Sequence, residues 1–366
     1  MELVSYSVIG PKIKFVFLGA AHPHTRGHMR TLELMDEVAS VVVWDESQEA
    51  LEKLREERGA KIEHITTNLD EALGHKDAAF ALVALRNDRT PDAIIRAANA
   101  GKHIMTEKPV GVNTAEVVRA LDAVARAGVT LSVCYQNRYN PASRDIKRLV
   151  QEGAVGRVMA AELRLITSQV KHRDPTHWLF NKKLAGGGML SWLGCHYLDL
   201  ICYMLDDEIT AVSAMAGTLS GEAIDVEDVA CLSVRFGRGA LGTLQCGYML
   251  PVSRSGYTGA TYDSFVGIRG TLGRIGWHPF EREATGLHIE SVAPGWESAP
   301  GRVIQYDFAK SDAYGGAFGL EFVRDFVKAA QTGGTPPTTA QDALRVIKVI
   351  DAAYESSRTG RQVEIV

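Results

Sequence analysis

Several things are missing from this 366-residue chain, and each absence excludes a class of function. It lacks a basic excess: 40 Lys and Arg against 44 Asp and Glu leave a formal net charge of −4. A surface of that sign argues against nucleic acid and against anionic membrane as partners. It also lacks any stretch approaching the roughly 20 uncharged apolar residues that cross a bilayer. The N-terminus has no secretory signal pattern, because Glu2 stands where positive charge belongs and no long apolar run follows. Cysteine is scarce and odd in number, with five residues and no C-x-x-C pair. Four of the five lie in apolar or aromatic runs, which reads as buried free thiols rather than zinc ligands or disulfides. Internal repeats and low-complexity segments are absent. The expected compartment is the cytoplasm.

What remains is ordinary globular composition, 46% hydrophobic and 23% charged. The length suggests two domains. From Lys14 onward, continuous apolar strands alternate with helices of 10–15 residues. The strands are expected at Phe15–Leu18, Val38–Trp44, Phe80–Leu85, His103–Thr106 and Val129–Cys134. Ser47 is placed to cap the second helix, Thr90-Pro91 opens the third, and Asn113 with Glu116 resembles a capping box for the fourth. This grammar predicts a doubly wound parallel sheet. After about Tyr139 it changes to long alternating segments punctuated by glycine, interrupted by a glycine-led apolar helix over Gly187–Leu205 and closed by two helices. Alternation implies antiparallel strands. The expected fold is therefore an α/β Rossmann domain followed by an α+β domain with a largely antiparallel open sheet. The boundaries are 1–137, with 1–12 as a leader, and 138–366.

Chemistry concentrates at the strand ends, where open parallel sheets bind ligands. The first turn reads Gly19-Ala-Ala-His-Pro-His-Thr-Arg-Gly27. It is not G-x-G-x-x-G, since Ala21 takes the second glycine's place and His22 and His24 crowd the loop. Those two histidines are read as packing the loop and contacting phosphate rather than as a metal pair, because no third ligand is in view. Asp45 ends the second strand, where a carboxylate can accept both ribose hydroxyls of NAD and repel the 2′-phosphate of NADP. Its plainer reading is a helix-capping acid near Ser47. Glu107-Lys108-Pro109 follows the His103 strand. Pro109 fixes its own φ, restricts Lys108, and is a candidate for a cis bond. Lys108 is either a solvated lysine or a group held stiffly for chemistry.

The order of elements, Asp45 and Glu107-Lys108-Pro109 together resemble the glucose-fructose oxidoreductase, inositol dehydrogenase and rhizopine-catabolism family, written Gfo/Idh/MocA. The resemblance runs over nearly the whole chain. Asn87 matches its cofactor-contacting asparagine, and Gln136-Asn-Arg138 matches the exit of its fifth strand, with Arg138 near the cofactor. Gly186-Gly-Gly through His196 to Asp199 matches its second-domain signature. The resemblance implies NAD, with NADP less favoured, and a sugar or polyol bound between the domains. It implies Lys108 and His196 as catalytic residues, Gly19, Ala21, His22, His24, Asp45, Asn87, Glu107 and Arg138 around the cofactor, and a homodimer or homotetramer. One departure stands out. Trp192 occupies the position, one helical turn before His196, where the family usually carries an aspartate. Asp199 and Asp174 are alternative stand-ins, and Trp192 either stacks on a sugar face or belongs to the core. His172 and Trp178 lie where a substrate loop would sit. Two rival functions stay open: a redox-neutral, NAD-dependent glycoside-cleaving enzyme, and a non-catalytic nucleotide-binding protein.

Overall fold

The computed structural model describes residues 12–252, 262–279 and 286–365. The expected leader falls outside them, apart from Lys12. The chain forms two compact units. The first comprises residues 1–110, 119–134 and 309–340, and the second 111–118, 135–308 and 341–366.

The first unit carries β1 (Ile13–Leu18), α1 (Thr25–Leu34), β2 (Val38–Trp44), α2 (Gln48–Arg58), β3 (Ile62–Thr66), α3 (Leu69–Leu73), β4 (Phe80–Val83), α4 (Thr90–Asn99), β5 (His103–Thr106), most of α5 (Thr114–Ala127) and β6 (Leu131–Val133). All six strands are parallel, in the order β3-β2-β1-β4-β5-β6. The order reverses between β1 and β4, which is where such sheets open a ligand crevice. Central strands are apolar throughout because helices cover both faces; Phe15 to Leu18 are fully buried. The helix starts follow their side chains. Ser47 Oγ accepts from Ala50 N, Asn113 Oδ1 accepts from Glu116 N, and Pro91 opens α4.

One correction concerns β3 and α3, which the strand pattern does not announce. β3 pairs with β2 alone and is only partly buried, so it needs no continuous apolar run. The strand at Phe80 is consequently the fourth, and Glu107-Lys108 follows the fifth.

The second unit carries α6 (Pro141–Gln151), β7 (Val158–Ser168), α7 (Lys182–Ala185), α8 (Cys195–Leu205), β8 (Ile209–Gly217), β9 (Val229–Phe236), β10 (Leu241–Leu250), β11 (Tyr262–Gly270), β12 (Gly273–Trp277), β13 (Leu287–Ser291) and β14 (Gly301–Ile304). Helix α9 (Gly316–Thr332) belongs to the first unit, where Phe326 meets Phe80 edge-on; α10 (Ala340–Thr359) and β15 (Val363–Glu364) close the second. Contact therefore groups 309–340 with the Rossmann sheet, whereas the boundary read from the sequence assigns it to 138–366. The nine strands run β14-β13-β12-β11-β7-β10-β9-β8-β15, and every pair is antiparallel except β7 with β10. β9 alternates buried and exposed residues, as a sheet covered on one face must. The glycine-led helix starts later than its sequence suggests, with one π-helical turn over Leu190–Gly194 leading into α8. Glu227 explains the start: its carboxylate accepts from Gly188 N (2.8 Å) and Leu190 N (2.9 Å).

Candidate active site

The site in the first unit begins where β1 ends. Gly19 has φ +114°, and a Cβ there would fall onto the carbonyl oxygen of Ala84 after β4, so glycine is required. Thr25 Oγ1 ties the turn by donating to Gly19 O (2.6 Å). Asp45, at the end of β2, is buried. Its Oδ2 accepts from Ala20 N (2.6 Å) and Ala21 N (3.2 Å), and its Oδ1 accepts from Ser47 N (2.9 Å). Ser47, not Asp45, caps α2; the Asp45 carboxylate binds the Ser47 amide that precedes the helix and shapes the loop at the switch point. Asn87 is buried just after β4.

At the end of β5, Glu107 and Lys108 are 2% and 1% exposed. The figure for Lys108 disposes of the solvated-lysine reading. The Lys108–Pro109 bond is cis. Glu107 Oε1 lies 2.6 Å from His28 Nε2 and 3.0 Å from His24 Nδ1, while Oε2 accepts from Lys108 N (3.2 Å). Tyr314 closes the group, with its hydroxyl 2.8 Å from His24 Nδ1 and its ring 4.6 Å from that of His28. Burial alone would raise the Glu107 carboxyl; the charges and hydrogen bonds of His24 and His28 overcome it and hold the group well below the usual carboxylate range. Burial lowers His24 and lowers His22 further. It also pushes the Cys134 thiol well above its ordinary value, with Glu107 adding to the effect.

His28, Glu107 and Cys134 place ligand atoms within 4.8 Å of one another. Ligands of a tetrahedral zinc stand about 3.3 Å apart. The 2.6 Å between His28 and Glu107 is instead a hydrogen bond. Sequence reasoning missed His28 and Tyr314. His28 had a signal, since it lies four residues after His24 on one helix face. Tyr314 had none, being 290 residues away from the histidine it touches.

In the second unit, Arg138 is buried and hydrogen-bonds to two acids. Nε and Nη2 bind Asp199 (2.9 and 2.5 Å), and Nη1 binds Asp342 (3.2 Å). Asp199, one of the two acids offered as stand-ins for the family aspartate, therefore gives both oxygens to Arg138 in a bidentate pairing. Burial raises the Asp199 carboxyl to about 6 in spite of Arg138. The two acids in turn hold the Arg138 guanidinium above the usual arginine range, against the effect of burial. His196 is half-buried, with its ring edge-on to Tyr135 at 5.9 Å. Trp192 is buried and meets the half-buried Trp178 edge-on at 6.0 Å. Asp174 is exposed and bonded to Thr176, whose hydroxyl and amide hold its carboxyl below the usual range. His172 Nε2 lies 2.9 Å from Pro251 O.

Residues 13–135 match a family model described as the oxidoreductase family, NAD-binding Rossmann fold, and residues 143–276 match the GFO/IDH/MocA C-terminal domain. The chain belongs to the Gfo/Idh/MocA family. Among curated relatives, levoglucosan dehydrogenase of Pseudarthrobacter phenanthrenivorans is 26% identical over 83% of this chain and 84% of its own length. Myo-inositol 2-dehydrogenase of Thermotoga maritima is 25% identical over 92% and 94%. A solved levoglucosan dehydrogenase, in complex with NADH and levoglucosan, superposes with a TM-score of 0.83 at 23% identity, covering 97% of this chain and 99% of that one.

As a Gfo/Idh/MocA protein the chain is an NAD-dependent oxidoreductase, and its first unit fits that cofactor. Two loop amides and a carboxylate converge at the sheet's switch point beside a glycine that admits no side chain. Among the described residues all five cysteines are free thiols, four buried and Cys231 exposed. No helix among those residues is long and apolar enough to cross a membrane.

Proposed function

We propose that this protein is an NAD-dependent dehydrogenase of a sugar or polyol. The observation that carries the reading is Lys108: a lysine buried at the end of a parallel strand, its backbone fixed on an ionised Glu107. A lysine this deeply buried is costly unless it is paired and hydrogen-bonded, so the fold spends stability to hold it there. Gly19, Ala21, Asp45, Asn87 and Glu107 would hold NAD, with Asp45 toward the ribose and against a 2′-phosphate. When bound, NAD supplies the acceptor for the substrate's hydride. The chain's task is then to orient one hydroxyl and take its proton, and Lys108 and His196 are the groups we assign to it. The half-buried Trp178, backed edge-on by the buried Trp192, offers an aromatic face of the kind that packs on a sugar. Arg138 acts through structure, by binding Asp199 and Asp342.

The relatives named for levoglucosan and inositol support the substrate class. The free thiols suit the reducing cytoplasm. The exposed side chains of Met215 and Leu241 on the sheet suit a homo-oligomeric interface. Lys108→Met should abolish turnover of a sugar and polyol panel while NADH affinity, read by fluorescence titration, stays within a few-fold. Retained turnover refutes the assignment. The buried Trp192, where the family carries an acid, favours one second reading, redox-neutral cleavage of a glycoside. Bond cleavage without accumulation of reduced nicotinamide would identify it.

A further inference from the structure

The groups facing His24 come from three segments. His22 and His28 flank it on the first turn and α1, Glu107 and Lys108 come from the end of β5, Tyr314 comes from the returning segment, and Cys134, from the end of β6, stands behind His28 and Glu107. Within this set exposure is graded. Glu107, Lys108, His22 and His28 are buried, whereas the side chain of His24 retains 14% exposure and Tyr314 is half-buried. Exposure thus rises from the buried end of β5 toward His24, which stands at the outer end of the cluster.

The hydrogen bonds fix what His24 can do. An ionised carboxylate only accepts, so the proton between His24 Nδ1 and Glu107 Oε1 sits on the imidazole. Tyr314 approaches the same nitrogen (2.8 Å) and packs its ring 4.9 Å from that of His24. Tyr314 N donates to Thr31 Oγ1 (2.9 Å), which anchors it on α1, and a Cβ at Gly27 would lie 2.8 Å from its ring. The imidazole is thereby held in one orientation on the carboxylate. At neutral pH the ring is uncharged, because burial lowers its pKa by more than Glu107 raises it. A neutral imidazole on a buried carboxylate can take up one proton and become an ion pair.

We propose that His24, oriented by Tyr314 and Glu107, is the proton relay of this oxidoreductase, carrying the proton released by each alcohol oxidation from Lys108 to solvent. The proposal rests on the dehydrogenase reading of the same site. The balance is simple. Lys108 hands one proton to His24 and takes the hydroxyl proton in its place; His24 becomes an imidazolium against Glu107 and releases one proton at its exposed edge. No electron moves along this path, and each residue returns to its starting state. Tyr314 and Glu107 are positioning residues, since they act through His24.

His24→Gln, which keeps a polar side chain but cannot carry a proton, should lower kcat on the order of 100-fold. The dissociation constant for NADH should stay within about two-fold, and added imidazole should restore part of the rate. Tyr314→Phe keeps the ring and removes the hydroxyl; it should move the midpoint of the kcat–pH profile while the melting temperature holds. In the protein without cofactor, the His24 ring followed by NMR should titrate below the ordinary histidine value and shift on Glu107→Gln. An active wild type whose His24→Gln variant keeps its kcat and pH profile overturns the relay alone, as does a loss carried wholly by NADH affinity. A His24 titration indifferent to both Glu107→Gln and Tyr314→Phe also overturns it. A wild type inactive on every sugar and polyol, with the NMR coupling intact, overturns the dehydrogenase reading and the relay's role with it.

Discussion

Replacing Arg138 with methionine, which is similar in length but uncharged, tests the buried ion cluster of the second unit. The change removes the bidentate bond to Asp199 and the bonds to Asp342, while Asp342 keeps Arg345 Nη1 at 2.9 Å. Breaking a buried pair from one side strands a charge, at a cost of about 3–5 kcal/mol. At about 2–4 °C per kcal/mol for a domain of this size, that is roughly 6–20 °C in Tm. The pH dependence follows from Asp199. Burial raises its folded-state pKa from 3.8 to about 6 even with Arg138 present. The folded protein therefore binds this proton more tightly than the unfolded chain. The resulting stability is fully present at low pH and is lost as pH rises through about 6, a term of about 3 kcal/mol. Without Arg138 the folded value climbs further, and the window moves up. The deficit of Arg138→Met against wild type should thus be largest near pH 8 and shrink to about 1–2 kcal/mol near pH 5, where Asp199 is protonated. Denaturant unfolding of both proteins at the two pH values measures it. Adding Asp199→Asn should recover at least half of the loss at pH 8, because neighbours in one network are not additive. An equal deficit at both pH values, or a double variant as unstable as the single one, would refute the reasoning.

Two further outcomes follow from local geometry. Gly19→Ala should cost about 2–4 kcal/mol and weaken NADH binding, because its Cβ falls on Ala84 O and its φ disfavours any side chain; thermal unfolding and NADH titration read the two effects. Trp178→Ala should raise KM for the sugar by about ten-fold, with kcat and NADH affinity nearly unchanged, since it removes one stacking surface; an unchanged KM would place Trp178 outside the substrate site.

Strand positions and the capped helices of the first unit were legible because their signals are local. Four-residue apolar runs, Ser47, Pro91 and Asn113 each act within one turn of chain. β3 was not legible, because an edge strand needs little apolar surface to hold its place. The strands of the second unit were legible as alternation, but their order was not, and the parallel pairing of β7 with β10 joins residues as far apart as Ala160 and Leu241 with no mark of it in the chain between. At the site, Lys108, Glu107 and Asp45 announced themselves by standing at strand ends. Arg138 was read toward the cofactor, and the partners that occupy it are side chains on α8 and α10.

The sequence by itself determined the family, the parallel sheet, the glycine turn and the stiff lysine before Pro109, since these depend on backbone rules and short spacings. Only the tertiary structure decided that Glu107 lies between two histidines, that Tyr314 returns to cover them, and that Asp199 pairs with Arg138. Those contacts depend on which distant segments exclude water from the same place, and no local spacing encodes that.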